Sequence, residues 1–163
     1  MEDGKLKALF LDRDGTINID YGYVYEPEKF VFTDGLFDFC RKAQDAGYAI
    51  VVITNQSGIV RGYYTEDDYR RLTDWMCGEF QKRGVRILDV LHCPLLDGPD
   101  RKPEPGLFIK ARDRHGIDMS ASVSIGDKPR DVEAGRRAGV GTNLLYEGDW
   151  SALETIFEPG LTK

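Results

Sequence analysis

Two aspartates one residue apart, Asp12 and Asp14, stand directly after an apolar run and directly before Gly15. Carboxylates this close repel unless a cation or a proton offsets them. The pair is therefore a candidate to hold a metal and to do chemistry. An Asp-x-Asp-Gly tetrapeptide is also an ordinary solvated turn, because Asp and Gly are favoured turn residues, and taken alone it favours that reading. It makes a poor calcium loop of the EF-hand kind, which places glycine sixth and follows a helix. Three further polar stretches carry chemistry-bearing groups: Thr54-Asn55-Gln56-Ser57-Gly58, Arg101-Lys102, and Gly126-Asp127-Lys128-Pro129-Arg130-Asp131. Hydroxyls and backbone N–H groups in the first can wrap a phosphate, although the same residues form unremarkable loops.

The elements that must position these groups follow from hydrophobic patterning. Residues 6–11 are apolar except Lys7, which reads as a buried parallel strand ending at Asp12. Residues 48–53, 87–91, 123–125 and 142–146 read as further strands. Helical patterns cover 35–47, 65–84, 106–116, 129–139 and a short stretch at 152–157. Thr65 with Asp68 forms a capping-box signature, and the stripe Tyr69, Leu72, Met76, Phe80 reads as core. Pro129 suits a first helical position. Residues 16–34, aromatic and β-branched with Pro27 interrupting, predict an irregular hairpin or flap beside the site, with Asp20 and Tyr23 as substrate contacts. Strand and helix alternate throughout, without repeat or linker. This predicts a single domain over 1–163, an α/β fold with a doubly wound, Rossmann-like parallel sheet and helices on both faces. In such a sheet the strand ends share one edge. Asp12, Asp14, Asp127, Thr54 and Lys102 can then converge, and hard oxygen ligands beside a lysine and a hydroxyl describe a site for Mg²⁺ and phosphate. The joint pattern overrides the turn reading.

Bulk properties narrow the class. The chain has 163 residues, 41% hydrophobic and 31% charged, which suits one well-cored domain. A net charge of −6 argues against a dedicated nucleic-acid binder. Cys40, Cys77 and Cys93 are odd in number and widely spaced, which favours free thiols in a reducing compartment. No apolar run approaches the roughly 20 residues of a membrane span, and residues 1–3 are too acidic to open a signal peptide. A cytoplasmic monomer without membrane or nucleic-acid partners is expected. His92 beside Cys93 is poor ligand spacing for zinc, and His115 reads as structural or solvated.

With these residues in place the chain resembles the haloacid dehalogenase superfamily phosphatases over nearly its whole length. The four motifs of that family occur in order, as Asp12-Arg13-Asp14-Gly15-Thr16, Thr54, Lys102, and Gly126-Asp127 with Asp131. Within it, Gly22-Tyr23-Val24, Thr54 to Ile59 with Arg61-Gly62, Arg101-Lys102-Pro103 and Gly126-Asp127-Lys128 resemble the D-glycero-D-manno-heptose-1,7-bisphosphate 7-phosphatases. The histidinol-phosphate phosphatases are the alternative branch. The resemblance implies a fold without a large cap, phosphomonoester hydrolysis through an aspartyl-phosphate, and a small phosphorylated sugar as substrate in nucleotide-activated heptose biosynthesis. It implies Asp12 as nucleophile and Asp14 as acid and base, with Mg²⁺ on Asp12, the Asp14 backbone carbonyl and Asp127. Asp131 would support that shell, and Thr54 and Lys102 would hold the phosphoryl oxygens. Substrate contacts are expected from Asp20, Tyr23, Asn55, Gln56, Ser57, Arg61, Arg101 and Lys128. Many relatives carry a zinc loop, but here Leu95 replaces its histidine and Gly98, Pro99 and Asp100 replace its second pair of cysteines, so no zinc is expected. A phosphotransferase and a non-catalytic phosphate binder remain as readings of other classes.

Overall fold

The computed structural model describes residues 5–157. The acidic start at residues 1–3, read as unlike a signal peptide, lies outside the described residues. Five parallel strands, β1 (Ala8–Leu11), β2 (Ala49–Asn55), β3 (Ile87–Cys93), β4 (Val123–Gly126) and β5 (Thr142–Leu145), pair in the order β3-β2-β1-β4-β5. The chain winds outward from β1 to β3, then returns to the other side of β1 with β4. That reversal puts the topological switch point between β1 and β4, where open α/β sheets bind ligands beyond the strands' carboxyl ends. Helices α1 (Leu36–Asp45), α2 (Glu66–Lys82), α3 (Gly106–His115) and α4 (Pro129–Arg137) fill the crossovers. No described helix is long and apolar enough to cross a membrane.

The two-residue period of the strands divides the core. Leu9, Leu11, Ile50 and Val52 point to one face with Leu36 and Phe39 of α1 and Leu72, Met76 and Phe80 of α2. Ala8, Phe10, Val51 and Ile53 point to the other with Leu107, Phe108 and Ala111 of α3 and Ala134 of α4. Both faces are covered, which is why the inner strands read as unbroken apolar runs. Burying each large side chain contributes about 1.5–3 kcal/mol. A backbone tied down by two such layers holds the strand ends, and the side chains they carry, in a fixed arrangement.

Several boundaries differ from the sequence expectation for physical reasons. Strand β2 runs past Ile53 through Thr54 and Asn55, and β3 past Leu91 through His92 and Cys93, because these polar residues pair with each other in register, Thr54 with His92 and Asn55 with Cys93. The ends of residues 16–34 pair as an irregular hairpin, with the Ile19 N–H donating to the Val31 carbonyl at 2.8 Å and the Thr33 N–H to the Ile17 carbonyl at 2.9 Å. The segment also holds a 3₁₀ turn (Pro27–Lys29) and isolated bridges that pair Asn18 with Asp14 and Phe32. The Arg13 guanidinium pins this segment by donating to the Val24 carbonyl at 2.8 Å, and Trp150 Nε1 holds it through Thr33 Oγ1 at 2.9 Å. The final helical element is a 3₁₀ helix, Trp150–Phe157, that begins two residues before the expected short helix.

Candidate active site

Asp12 leaves the end of β1 with its backbone N–H on the Ile125 carbonyl, 3.1 Å away, which fixes it beside the end of β4. Lys102 Nζ lies 2.8 Å from Asp12 Oδ1, 2.8 Å from Asp131 Oδ1 and 2.7 Å from the Ile53 carbonyl. The ammonium is buried and its three hydrogens all have protein acceptors. Burial alone would lower its pKa, but Asp12 and Asp131 outweigh that and hold it above the ordinary lysine value. Burial pushes the Asp12 carboxyl well above the usual carboxylate range; Lys102 opposes the rise, while Asp131 and Asp127 add to it.

Asp127 completes the cluster at the end of β4. Asp12, Asp127 and Asp131 each offer a carboxylate oxygen, all within 4.8 Å of one another. Gly15 makes this approach feasible. It has φ +93°, and a Cβ there would sit 2.1 Å from Asp127 Oδ2, so the turn after Asp14 must be glycine for Asp127 to lie against it. Thr16 Oγ1 steadies Asp127 Oδ1 at 3.4 Å. Three carboxylates against one ammonium leave the cluster strongly negative. An all-oxygen donor set with that charge fits a hard divalent cation such as Mg²⁺. Asp131 is already engaged on both oxygens, by Lys102 and by the Lys128 backbone N–H at the start of α4, 3.0 Å away.

Asp14 faces the other way. Its Oδ1 accepts from Arg13 Nε (3.2 Å), an Arg13 terminal nitrogen (3.0 Å) and Asn18 Nδ2 (3.0 Å). Its Oδ2 accepts from Gln56 Nε2 at 3.0 Å and lies 2.9 Å from the same Arg13 terminal nitrogen. The side chain is 21% exposed, so one edge stays open to the cavity. Two carboxylates two residues apart thus have different surroundings, one in the anionic cluster and one held by cationic and amide donors. Environments that separate two carboxylates in this way separate their roles.

A cavity of about 310 Å³ opens over these groups, and every residue expected to act in catalysis or touch substrate lines it: Asp12, Asp14, Thr54 and Lys102 at its floor, the rest on its walls. The detail departs from expectation at three side chains. The Asn55 amide clamps the Lys102 backbone, donating to its carbonyl at 3.2 Å and accepting from its N–H at 3.1 Å. The Gln56 amide is occupied by Asp14, Thr54 and Tyr64. Lys102, expected on phosphoryl oxygens, directs its hydrogens to Asp12, Asp131 and Ile53. Buried polar groups at strand ends satisfy one another before they meet a ligand.

The walls are basic and aromatic. Arg61 rests its Nε on Ser57 Oγ at 3.4 Å, Arg101 donates once to the Leu95 carbonyl at 3.2 Å, and Lys128 Nζ stands 3.7 Å from Asp127. Asp20 forms a turn by accepting from the Gly22 N–H at 2.9 Å. Tyr23 adopts φ +52° and meets Tyr63 edge-on with centroids 4.7 Å apart. Sequence reasoning passed over Tyr64 and did not count Arg130 among the substrate contacts, and both line the cavity. It also passed over Arg13 and Asn18, which hold Asp14; the cation between the two aspartates was a readable signal, while nothing in spacing pointed to Tyr64. Outside the site, His92 Nε2 lies 2.9 Å from Glu66 and its ring stacks on Tyr69. His115 meets Asp89 at 2.7 Å. The Cys93 thiol donates to the Leu95 carbonyl at 3.9 Å; with no second thiol or imidazole in the loop that follows, these residues do not fit a tetrahedral zinc site.

Comparisons with known proteins agree with this geometry. Residues 100–159 match the HAD-hydrolase-like family model. The D-glycero-alpha-D-manno-heptose-1,7-bisphosphate 7-phosphatase of Burkholderia mallei is 49% identical over 151 residues, covering 86% of this chain and 80% of that protein. The beta-anomer counterpart of Escherichia coli K12 is 45% identical over 148 residues, covering 85% and 78%. Among solved structures, a putative HAD-like phosphatase from Mesorhizobium loti superposes with a TM-score of 0.83 at 37% identity, covering 89% of this chain and 74% of that one. The D,D-heptose 1,7-bisphosphate phosphatase of B. bronchiseptica, complexed with magnesium and phosphate, gives 0.78 at 28% identity, covering 84% and 79%. With the site at the switch point and relatives this similar along most of the chain, the protein belongs to the haloacid dehalogenase superfamily of phosphatases, alongside the heptose-1,7-bisphosphate 7-phosphatases.

Proposed function

We propose that this chain is a Mg²⁺-dependent phosphatase that hydrolyses the 7-phosphate of D-glycero-D-manno-heptose 1,7-bisphosphate through an aspartyl-phosphate on Asp12. The observation that carries the reading is the division of labour at the end of β1: Asp12 packed into the anionic cluster with Lys102, and Asp14 held apart from it by Arg13, Asn18 and Gln56. The names of the relatives support the substrate. Mg²⁺, held by Asp12, Asp127 and the Asp14 carbonyl, would supply charge neutralisation for a phosphate dianion approaching a carboxylate.

The remaining steps belong to the chain's own residues. An Asp12 carboxylate oxygen attacks phosphorus and the bond to the sugar O7 breaks. Asp14, protonated, gives its proton to O7 as the sugar leaves. A water then attacks the phosphorus of the aspartyl-phosphate, Asp14 takes its proton, and Asp12 and inorganic phosphate are released. Lys102 keeps Asp12 oriented and limits its repulsion from Asp131, and Thr54 offers a hydroxyl to the transferring group. Arg61, Arg101, Lys128 and Arg130 on the cavity wall are the cations available to the second phosphate, with arginine suited to bidentate contact. One domain with residues 16–34 as its flap suffices for this chemistry, and three free thiols accord with a reducing, cytoplasmic setting.

The test is phosphate release with Mg²⁺ from the alpha and beta anomers of heptose 1,7-bisphosphate and from histidinol phosphate, with Asp12→Asn as control. Rapid release from one heptose anomer, absent in the variant, is the expected result. Preference for histidinol phosphate would move the chain to the neighbouring branch. Turnover undiminished in Asp12→Asn would overturn the mechanism.

A further inference from the structure

Gln56 sits at the end of β2, 2% exposed, and its side-chain amide is fully used. One N–H meets Asp14 Oδ2 at 3.0 Å and the other meets Thr54 Oγ1 at 2.8 Å. Its carbonyl oxygen accepts from the Tyr64 hydroxyl. We infer that Tyr64 and Gln56 form a positioning relay that sets the acid–base carboxylate and the phosphoryl-binding hydroxyl through a single amide.

The chemistry of an amide makes the tyrosine necessary to this arrangement. A glutamine can present either its N–H₂ or its oxygen to a neighbour. Turned the wrong way, Gln56 would set its carbonyl oxygen against the Asp14 carboxylate and remove the donor from Thr54. The Tyr64 hydroxyl, donating to the carbonyl oxygen, selects the orientation in which both N–H groups reach their partners. Burial raises the phenol's pKa above the ordinary tyrosine value, so it remains a donor. Thr54, accepting from Gln56, directs its own hydrogen to the Asn55 carbonyl at 3.3 Å, a long contact that a phosphoryl oxygen can replace. Arg13 reaches both Asp14 oxygens and Asn18 adds a contact to Oδ1, and Gln56 fixes Oδ2 from the β2 side.

The surroundings are built to keep the ring still. Tyr64 is 5% exposed and stacks on Tyr25 with centroids 5.4 Å apart. Gly58 gives it room: a Cβ there would lie 2.2 Å from Tyr64 Cε2 and 3.0 Å from Tyr23 Cδ1. Tyr64 and Gln56 need not touch the phosphoryl group in this scheme, and they act through Asp14 and Thr54.

This inference rests on the phosphatase reading, and a leaving-group comparison separates the two. The sugar O7 must be protonated as it departs, whereas the phenolate of 4-nitrophenyl phosphate leaves without a proton. Values of kcat/KM, which report the first transfer, are measured for wild type, Tyr64→Phe and Gln56→Met on 4-nitrophenyl phosphate and on the alkyl ester of the panel above that wild type cleaves best. Tyr64→Phe, which keeps the packed ring, is expected to lose about 10-fold on the alkyl ester and less than about 2-fold on the aryl ester. Gln56→Met is expected to lose about 100-fold and less than about 10-fold respectively, within the usual span of general acid catalysis. Equal losses on both esters, or none on either, would overturn the relay while leaving the phosphatase intact. A wild type inert on every ester overturns the phosphatase reading and this inference with it.

Discussion

At the scale of single residues, the site depends as much on an absent side chain as on the charged ones. Gly15 allows Asp127 to lie against the turn that follows Asp14, and its φ of +93° is one that L side chains rarely adopt. In Gly15→Ala the new methyl would fall 2.1 Å from Asp127 Oδ2, so either the carboxylate or the turn carrying Asp12 and Asp14 must shift. Displacements of about 1 Å at reacting groups cost on the order of 100-fold in rate. Phosphatase turnover of Gly15→Ala is therefore expected to fall about 100-fold, with far-ultraviolet circular dichroism unchanged because the sheet core does not touch this position. Activity within a few-fold of wild type would show that the cluster tolerates the displacement. Asp12, Asp14 and Gly15 were legible only together with Thr54, Lys102 and Asp127, since the tetrapeptide alone reads as an ordinary turn. Tyr64 was not legible. Its hydroxyl matters only because Gln56 lies beside it, eight positions away in a bend with no period to read.

At the scale of elements, apolar periodicity predicted every strand and every α-helix, and polar strand ends misled. Thr54 and Asn55 look like loop residues, yet they continue β2 because His92 and Cys93 of β3 supply backbone partners, a pairing distant in sequence. Residues 16–34 were legible as an irregular hairpin from their aromatic and β-branched content, whereas the anchoring of Val24 and Thr33 by Arg13 and Trp150 follows no local period and was not. The start of α2 was legible because capping is local. Thr65 Oγ1 accepts from the Asp68 N–H at 3.0 Å and Asp68 Oδ2 accepts from the Thr65 N–H at 2.9 Å. Replacing such a cap by alanine costs about 1 kcal/mol. Thr65→Ala is therefore expected to lower the melting temperature by about 2–4 °C for a chain of this size. Differential scanning calorimetry checks the shift. Tyr64 adjoins the cap, so kcat/KM on an aryl ester should be read in parallel; it is expected to stay within about 2-fold, because the ring is held by Tyr25 and the space over Gly58, not by the cap.

At the scale of the whole molecule, the fold gathers like charges that an unfolded chain keeps apart. Asp12 precedes Asp127 and Asp131 by more than a hundred residues in sequence, yet all three end within 4.8 Å of one another, in a protein of net charge −6. Lys102 offsets one of them, and the two hydrophobic layers hold the strand ends together against the remaining repulsion. Without a divalent cation the site is thus a source of instability, and a cation that binds only the folded state stabilises it by mass action. At a hundred times its dissociation constant that amounts to about 2.7 kcal/mol, or a rise in melting temperature on the order of 5–10 °C. The sign reverses in a variant that removes a charge from the cluster. Asp127 has weak partners, Thr16 at 3.4 Å and Lys128 at 3.7 Å, so Asp127→Asn loses little and relieves repulsion. In chelator-treated protein it is expected to melt at or above the wild-type temperature, and to gain almost nothing from Mg²⁺ while wild type gains several degrees. A variant that melts lower than wild type without metal, yet retains the full Mg²⁺ shift, would mean that Asp127 serves packing and that the cation is held elsewhere.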